Sequence, residues 1–400
     1  MARIQLAIEL VFLLTIFFCS CYCQLTNEQE KETYTALKDI QKKIMEDMPP
    51  FCYHSHSGTR NAFLSKAYKK YTGNYNVLVY PFCLQTHELG NRLGNYFTEV
   101  ACADASGLHF IAVFPQWDLK GSFHGNMTNT TDTRKLAFLK ALPDIIVHKH
   151  PLDSYNAATK IKHECHCTRY CWGHLRAPWV NRTELLGGYL RNSLDAYVAA
   201  LPVGETTQID PEVDVSNAQP GQHLPIVPDV ALQYRCGDNI AFSYMYGILP
   251  FTAFEGRIPA DAKYIYVLSD HPSRAVHSPY TSRCAFILKN LFDWLHEKYP
   301  SATLVVKRGG DLFLDYVRLG QANTTICSPS SYCFWPAVSS LGTSYFPLTV
   351  LIAGAGTKQL APDFGPNFHW MDTPYISNMR FVRPWTQIID YLVGKKEIPN

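Results

Sequence analysis

Short apolar runs and longer amphipathic stretches alternate along this chain, as they do where strands are interleaved with helices. The runs at 76–80 (NVLVY) and 108–114 (LHFIAVF) predict strands, and residues 90–105, opened by Gly90-Asn91, predict a helix between them. Strand, loop, helix and strand in that order form the building unit of a parallel sheet. A further helix is expected over 184–200. The pattern then restarts, with strands predicted at 230–234, 264–268, 303–306 and 325–327 and helices at 281–298, 311–319 and 334–341. Residues 118–180 show no sustained period and read as irregular, and 202–228, with five prolines, reads as a linker. The expected fold class is therefore α/β, with two Rossmann-like domains facing a cleft.

The polar and apolar balance divides the chain further. Residues 1–23 read as a signal peptide or signal-anchor, 24–75 as a stem and lead-in helix, 76–205 as an N-terminal α/β domain with a Cys/His-rich insert, and 206–228 as a linker. Residues 229–375 read as a C-terminal α/β domain and 376–400 as a C-terminal tail or helix. In the first segment a short positive end, Met1-Ala2-Arg3, precedes the apolar run from Leu10 to Cys19, and Cys21-Tyr22-Cys23 precedes Gln24. That order belongs to a secretory leader. Glu9 shortens the apolar stretch, which suits a cleaved signal, while an uncleaved anchor is the other reading. Either one sends the rest of the chain into the secretory pathway, with membrane contact only through this segment if it is uncleaved.

Cysteine usage agrees. Of 13 cysteines three lie in the leader, and the other ten are an even number in an oxidising compartment, where disulfides form. Four glycosylation sequons, at Asn126, Asn129, Asn181 and Asn323, fit the same route. Net charge is only +2, and there is no run of Lys or Arg, which argues against nucleic acid as a partner.

Three segments carry candidate chemistry. His87-Glu88-Leu89-Gly90-Asn91-Arg92-Leu93-Gly94-Asn95 lies between a predicted strand and a helix, where glycines let backbone approach a ligand and a helix N-terminus favours an anion. It lacks the Gly-Lys-Ser/Thr of a phosphate loop, which weakens a sulfotransferase reading, and it also lacks the Gly-x-Gly-x-x-Gly of a dinucleotide site. Gln233-Tyr234-Arg235-Cys236-Gly237-Asp238 follows the apolar run 230–232, so Arg235 is expected at a strand's carboxyl end, where α/β folds bind ligands. Arginine suits bidentate phosphate contact, although an internal Arg–Asp pair explains the same residues. Ser328-Pro329-Ser330-Ser331-Tyr332-Cys333-Phe334-Trp335 opens a helix, either toward a phosphate or as a plain N-cap.

The order of these segments resembles the GDP-fucose-dependent fucosyltransferases, the superfamily of α1,2-, α1,6- and protein O-fucosyltransferases. Glu88 to Leu93 resembles their early Gly-x-x-Asn-Arg/Gln loop, and Gln233 to Asp238 their His-x-Arg-x-Gly-Asp motif. Val267-Leu268-Ser269-Asp270 resembles their strand ending in Ser-Asp, and Ser330 to Trp335 their Ser-Ser-x-x-x-Trp segment. The resemblance spans residues 76 to about 345 and implies a GT-B-type pair of domains, with the donor held mostly by the second. It places Arg235 on the β-phosphate, Ser330 and Ser331 beside the diphosphate, Asp270 near the nucleotide, and Gly90, Asn91 and Arg92 on the cleft from the first domain. This chain departs from the family at Gln233, where a His is expected and where Gln cannot take up a proton.

The expected reaction is transfer of fucose from GDP-fucose to a glycan or glycoprotein hydroxyl with inversion, without a metal or other cofactor. The leaving diphosphate gathers charge that a fixed arginine and a helix N-terminus stabilise. Glu88, His87 and Asp238 are candidates for the base that takes the acceptor's proton, and Arg235, Glu88 and Asp238 form the candidate catalytic set. The acidic string 210–214 reads as a solvated loop rather than a metal site. Two other readings stand beside this one. The Gln233 departure suits a catalytically silent glycan- or partner-binding protein on the same fold. The 163–174 cluster (HECHCTRYCWGH) has ligands for zinc, though disulfides in a surface loop explain it as well.

Overall fold

The computed structural model describes residues 77–81, 109–115, 132–143, 145–148, 183–201, 213–217, 224–236, 247–269, 280–309, 311–349, 363–373 and 384–397, with eight helical positions between 89 and 101. The protein has an α/β fold. In the first block, β1 (Val77–Pro81), β2 (His109–Pro115) and β3 (Ile145–His148) form a parallel sheet in the order β1-β2-β3. Two helices belong to this block, α1 (Thr133–Ala141) and α2 (Thr183–Ala199). Both α1 and β3 fall in the stretch read as irregular. The helix is specified by Asp132, whose carboxylate accepts from the backbone N–H groups of Arg134 and Lys135, a capping signal easily lost beside the sequons.

The second block is a seven-stranded sheet. It contains β4 (Val213–Val215), β5 (Val230–Gln233), β6 (Tyr264–Ser269), β7 (Thr303–Arg308), β8 (Thr324–Cys327), β9 (Thr343–Pro347) and β10 (Phe368–Met371). Their spatial order is β10-β9-β8-β5-β6-β7-β4, with six strands parallel and β4 antiparallel on the β7 edge. Chain segment 213–215 is thus an edge strand rather than the solvated loop expected there. The six parallel strands follow the doubly wound order, in which the chain starts at the centre, winds to one edge, returns and winds to the other. The return falls between β5 and β8.

Alternation along each strand builds a core on both faces, as a parallel sheet requires. Val230, Leu232, Ile265, Val267, Leu304, Val306 and Ile326 enter one core, covered by α3 (Tyr280–Lys298), a 3₁₀ turn at Phe251–Phe254 and α6 (Ile388–Leu392). Ala231, Tyr266, Leu268, Val305 and Cys327 enter the other, covered by α4 (Leu312–Gln321) and α5 (Ser331–Ser339). α5 begins three residues before the helix expected at 334, because Ser330 caps it. Strands β9 and β10 lie beyond that helix, in a stretch for which no strand was expected.

The second core does not end at α4 and α5. Leu89, Leu93, Tyr96 and Phe97 from the early helix, Phe138 and Leu139 from α1, and Leu186, Leu190 and Leu194 from α2 join the same buried cluster. The Phe97 and Trp335 rings lie 4.7 Å apart, and Tyr197 stacks on Phe313 at 5.9 Å. Polar contacts follow the packing. Arg191 of α2 donates to the carbonyl of Ser339 at the end of α5 (3.0 Å), and the Tyr197 hydroxyl donates to Asp311, the N-cap of α4, at 2.5 Å. Burial, with the Asp311 carboxylate beside it, holds the Tyr197 phenol well above its ordinary pKa, so it remains a donor. Arg134 lies 3.6 Å from the same carboxylate.

This network ties helices of the first block to the second sheet. Tyr197→Phe is expected to destabilise the protein by about 1–2 kcal/mol, the cost of a hydrogen bond to a charged group reduced for the partial exposure of Asp311. Urea denaturation of the two proteins measures it, and an unchanged midpoint would refute the assignment.

Candidate functional site

The return point of a doubly wound sheet leaves a crevice, because the helices on either side of it lie on opposite faces. Here it lies at the carboxyl ends of β5 and β8, where Gln233 pairs with Cys327. Two of the sequence-predicted segments begin at these strand ends. Arg235 follows β5, and Ser328 to Ser331 lead from β8 into α5.

Hydrogen bonds lock these ends together. The backbone N–H of Ser328 donates to both the Gln233 carbonyl (2.9 Å) and the Gln233 side-chain oxygen (3.2 Å). The backbone N–H of Arg235 donates to the Ser328 hydroxyl at 3.1 Å. The Arg235 guanidinium reaches the Ser330 hydroxyl at 3.5 Å, a long contact, and that hydroxyl also accepts from the Tyr332 N–H at 3.3 Å. Ser330 is therefore the N-cap of α5, acting through its acceptor lone pairs. Accepting these contacts leaves the Ser330 O–H proton as a donor beside the helix N-terminus and the arginine. Arg235 itself is half-buried, whereas Ser328 and Ser330 are fully buried.

The β6 end joins the same cluster. Ser269 donates its hydroxyl proton to the carbonyl of Tyr234 at 2.7 Å, and Cys236 is disulfide-bonded to Cys284 in the first turns of α3. A second disulfide joins Cys327 to Cys333 across the serine loop. These four are among the ten cysteines beyond residue 23; the other six lie outside the described residues. The first predicted segment arrives through Gly90, on a helix of the first block. A Cβ built there would stand 2.4 Å from the Ser331 carbonyl oxygen and 2.5 Å from the Tyr332 Cα. Gly90 thus permits backbone-to-backbone packing on the first turn of α5, so its Cα faces protein backbone where the sequence reading had a ligand.

The structure brings together Gly90, Arg235, Ser330 and Ser331 from the predicted set. Glu88, Asn91, Arg92, Asp238 and Asp270 lie outside the described residues, as do Asn126, Asn129 and Asn181. Asn323 is exposed in the turn before β8, at the sheet end opposite the crevice. Sequence reasoning gave no role to Ser328, although its place one residue past a strand was the available signal. The structure also explains Gln233. It is 6% exposed, and its amide oxygen accepts from a backbone N–H, which a neutral side chain does at any pH. Among the described residues no group of His, Cys, Asp or Glu is placed to hold a metal ion, and no helix is long and apolar enough to cross a membrane. The 163–174 cluster and the apolar run at 10–19 lie outside those residues.

Gly90→Ala is expected to cost about 1–3 kcal/mol, since the methyl group meets backbone that can move only by shifting α5. Equilibrium denaturation measures this; a variant as stable as the parent would show that the two backbones are not in contact.

No protein-family model matches this chain, and no curated protein does.

Proposed function

We propose that this protein is a glycosyltransferase that transfers fucose from GDP-fucose to a hydroxyl of a glycan or glycoprotein, with inversion at the fucose C1. One observation carries the reading. Arg235 stands at the return point of a doubly wound sheet, against the N-terminus of α5. A guanidinium and a helix N-terminus on one crevice suit a diphosphate, which carries charge in the ground state and gains more as it leaves. Gly90 supports the reading from the other block, because it lies against that helix start.

In the proposed reaction the acceptor oxygen forms a bond to fucose C1 as the bond from C1 to the β-phosphate oxygen breaks. Arg235 stabilises the charge that collects on GDP, with Ser330 and Ser331 framing the helix start beside it. Glu88 and Asp238 are the proposed candidates to take the acceptor's proton. The proposed arrangement is of GT-B type, with Asn91, Arg92 and Asp270 completing the donor site, and the setting is the lumen of the ER or Golgi. No metal enters this scheme, because the arginine and helix end supply the positive charge.

A second reading, binding without transfer, is favoured by Gln233. Its side-chain oxygen is committed to the Ser328 N–H, so it holds the loop rather than moving protons. Donor hydrolysis or transfer by purified protein supports the enzyme; saturable GDP-fucose binding with neither supports the binder.

The test common to both is GDP-fucose binding to residues 24–400. Arg235→Ala is expected to weaken it about 10- to 100-fold, the value of a charge-assisted contact. Equal affinity in calorimetry, or no binding by the parent protein, would sink the proposal.

A further inference from the structure

The two disulfides differ in what they enclose. Cys236–Cys284 spans 48 residues of sequence, and Cys327–Cys333 spans 6. A cross-link restricts the unfolded chain in proportion to the logarithm of its loop, so the long bridge has the greater leverage on stability. The ends of the short loop are already held by other means. Cys327 closes β8, which is hydrogen-bonded to β5, and Cys333 lies in the first turn of α5, whose Phe334 and Trp335 are buried in the same core as Cys327. Chain closure therefore does not account well for a bridge at this place.

Its contents suggest another role. The loop holds Ser328, Ser330 and Ser331, all buried, and it carries the hydroxyls that accept from the Arg235 backbone and guanidinium. It also sets the angle between the end of β8 and the start of α5, and Gly90 presses on that first turn. An anion at a helix N-terminus depends on that direction, since contacts of this kind weaken steeply with small displacements.

We propose that the Cys327–Cys333 disulfide is a positioning strap, which holds the start of α5 and Arg235 in register for the diphosphate of a sugar nucleotide. The inference rests on the functional reading above and adds a covalent element to that site. The strap acts on recognition of the phosphates, not on the nucleoside, and it contributes less to stability than the longer bridge.

The experiment compares GDP with guanosine by calorimetry on the full chain from a secretory expression host. The parent is expected to prefer GDP. Cys327→Ser/Cys333→Ser is expected to lose about tenfold in GDP affinity, or 1.4 kcal/mol, while guanosine affinity stays within about twofold. Because both cysteines are buried, Cys327→Ala/Cys333→Ala is run in parallel to avoid burying hydroxyls. A parent with no preference for GDP over guanosine overturns the functional reading, and the strap falls with it. A parent that prefers GDP, with variants that keep the full preference, overturns the strap alone. Equal losses for both ligands, or failure of both variants to fold, also overturn it, because the bridge is then a general structural requirement.

Discussion

The pairing of β5 with β8 is the constraint on which the rest of the architecture depends. These strands are far apart in sequence, and every contact across the crevice follows from placing them side by side. The Ser328 N–H, shared between the Gln233 carbonyl and amide oxygens, secures the pair at its carboxyl end. Moving β8 by one residue would turn Ile326 and Cys327 to the wrong faces of the sheet. It would also carry the start of α5 away from Arg235. Register, core composition and the candidate site are thus one choice rather than three.

The second constraint is the shared helical core. Helices of the first block bury Phe97, Phe138 and Leu190 in the same cluster as Phe313 and Trp335 of the second. Close packing of this kind transmits displacement, so Gly90 and the start of α5 move together. Gly90 is a tight backbone contact, and the Tyr197–Asp311 and Arg191–Ser339 hydrogen bonds lie on the same helical layer. A buried charge cluster lies beside that layer. Asp315 lies 2.7 Å from Arg318 and 3.8 Å from Lys307, and burial raises its pKa against the pull of both cations. Such clusters are costly to break even when their net contribution is small.

Much of the second block was legible in the sequence. Runs such as 230–233 and 264–269 are apolar on both faces and end in turn-forming residues, which local reading captures. The losses have local causes. β4 is three residues long in a proline-rich stretch and is held only by its pairing with β7. β9 and β10 are short, and Gly342, Pro347, Gly365 and Pro366 punctuate the stretch as turn residues do. α1 is nine residues long and is marked chiefly by the Asp132 cap. Arg235 was visible because a lone cation directly after a buried strand is unusual. Ser328 was not, because its function is to accept from a residue 93 positions away.

The sequence by itself determined the α/β class, the strand–helix alternation and the secretory leader expectation, because each depends on neighbouring residues and the period of their burial. Only the tertiary structure decided that β5 and β8 are neighbours, that Gly90 packs on the start of α5, and that Ser330 caps that helix. It also decided which four of the cysteines pair with one another. These are relations between residues distant in the chain, set by the winding order of the sheet, and no local pattern encodes that order.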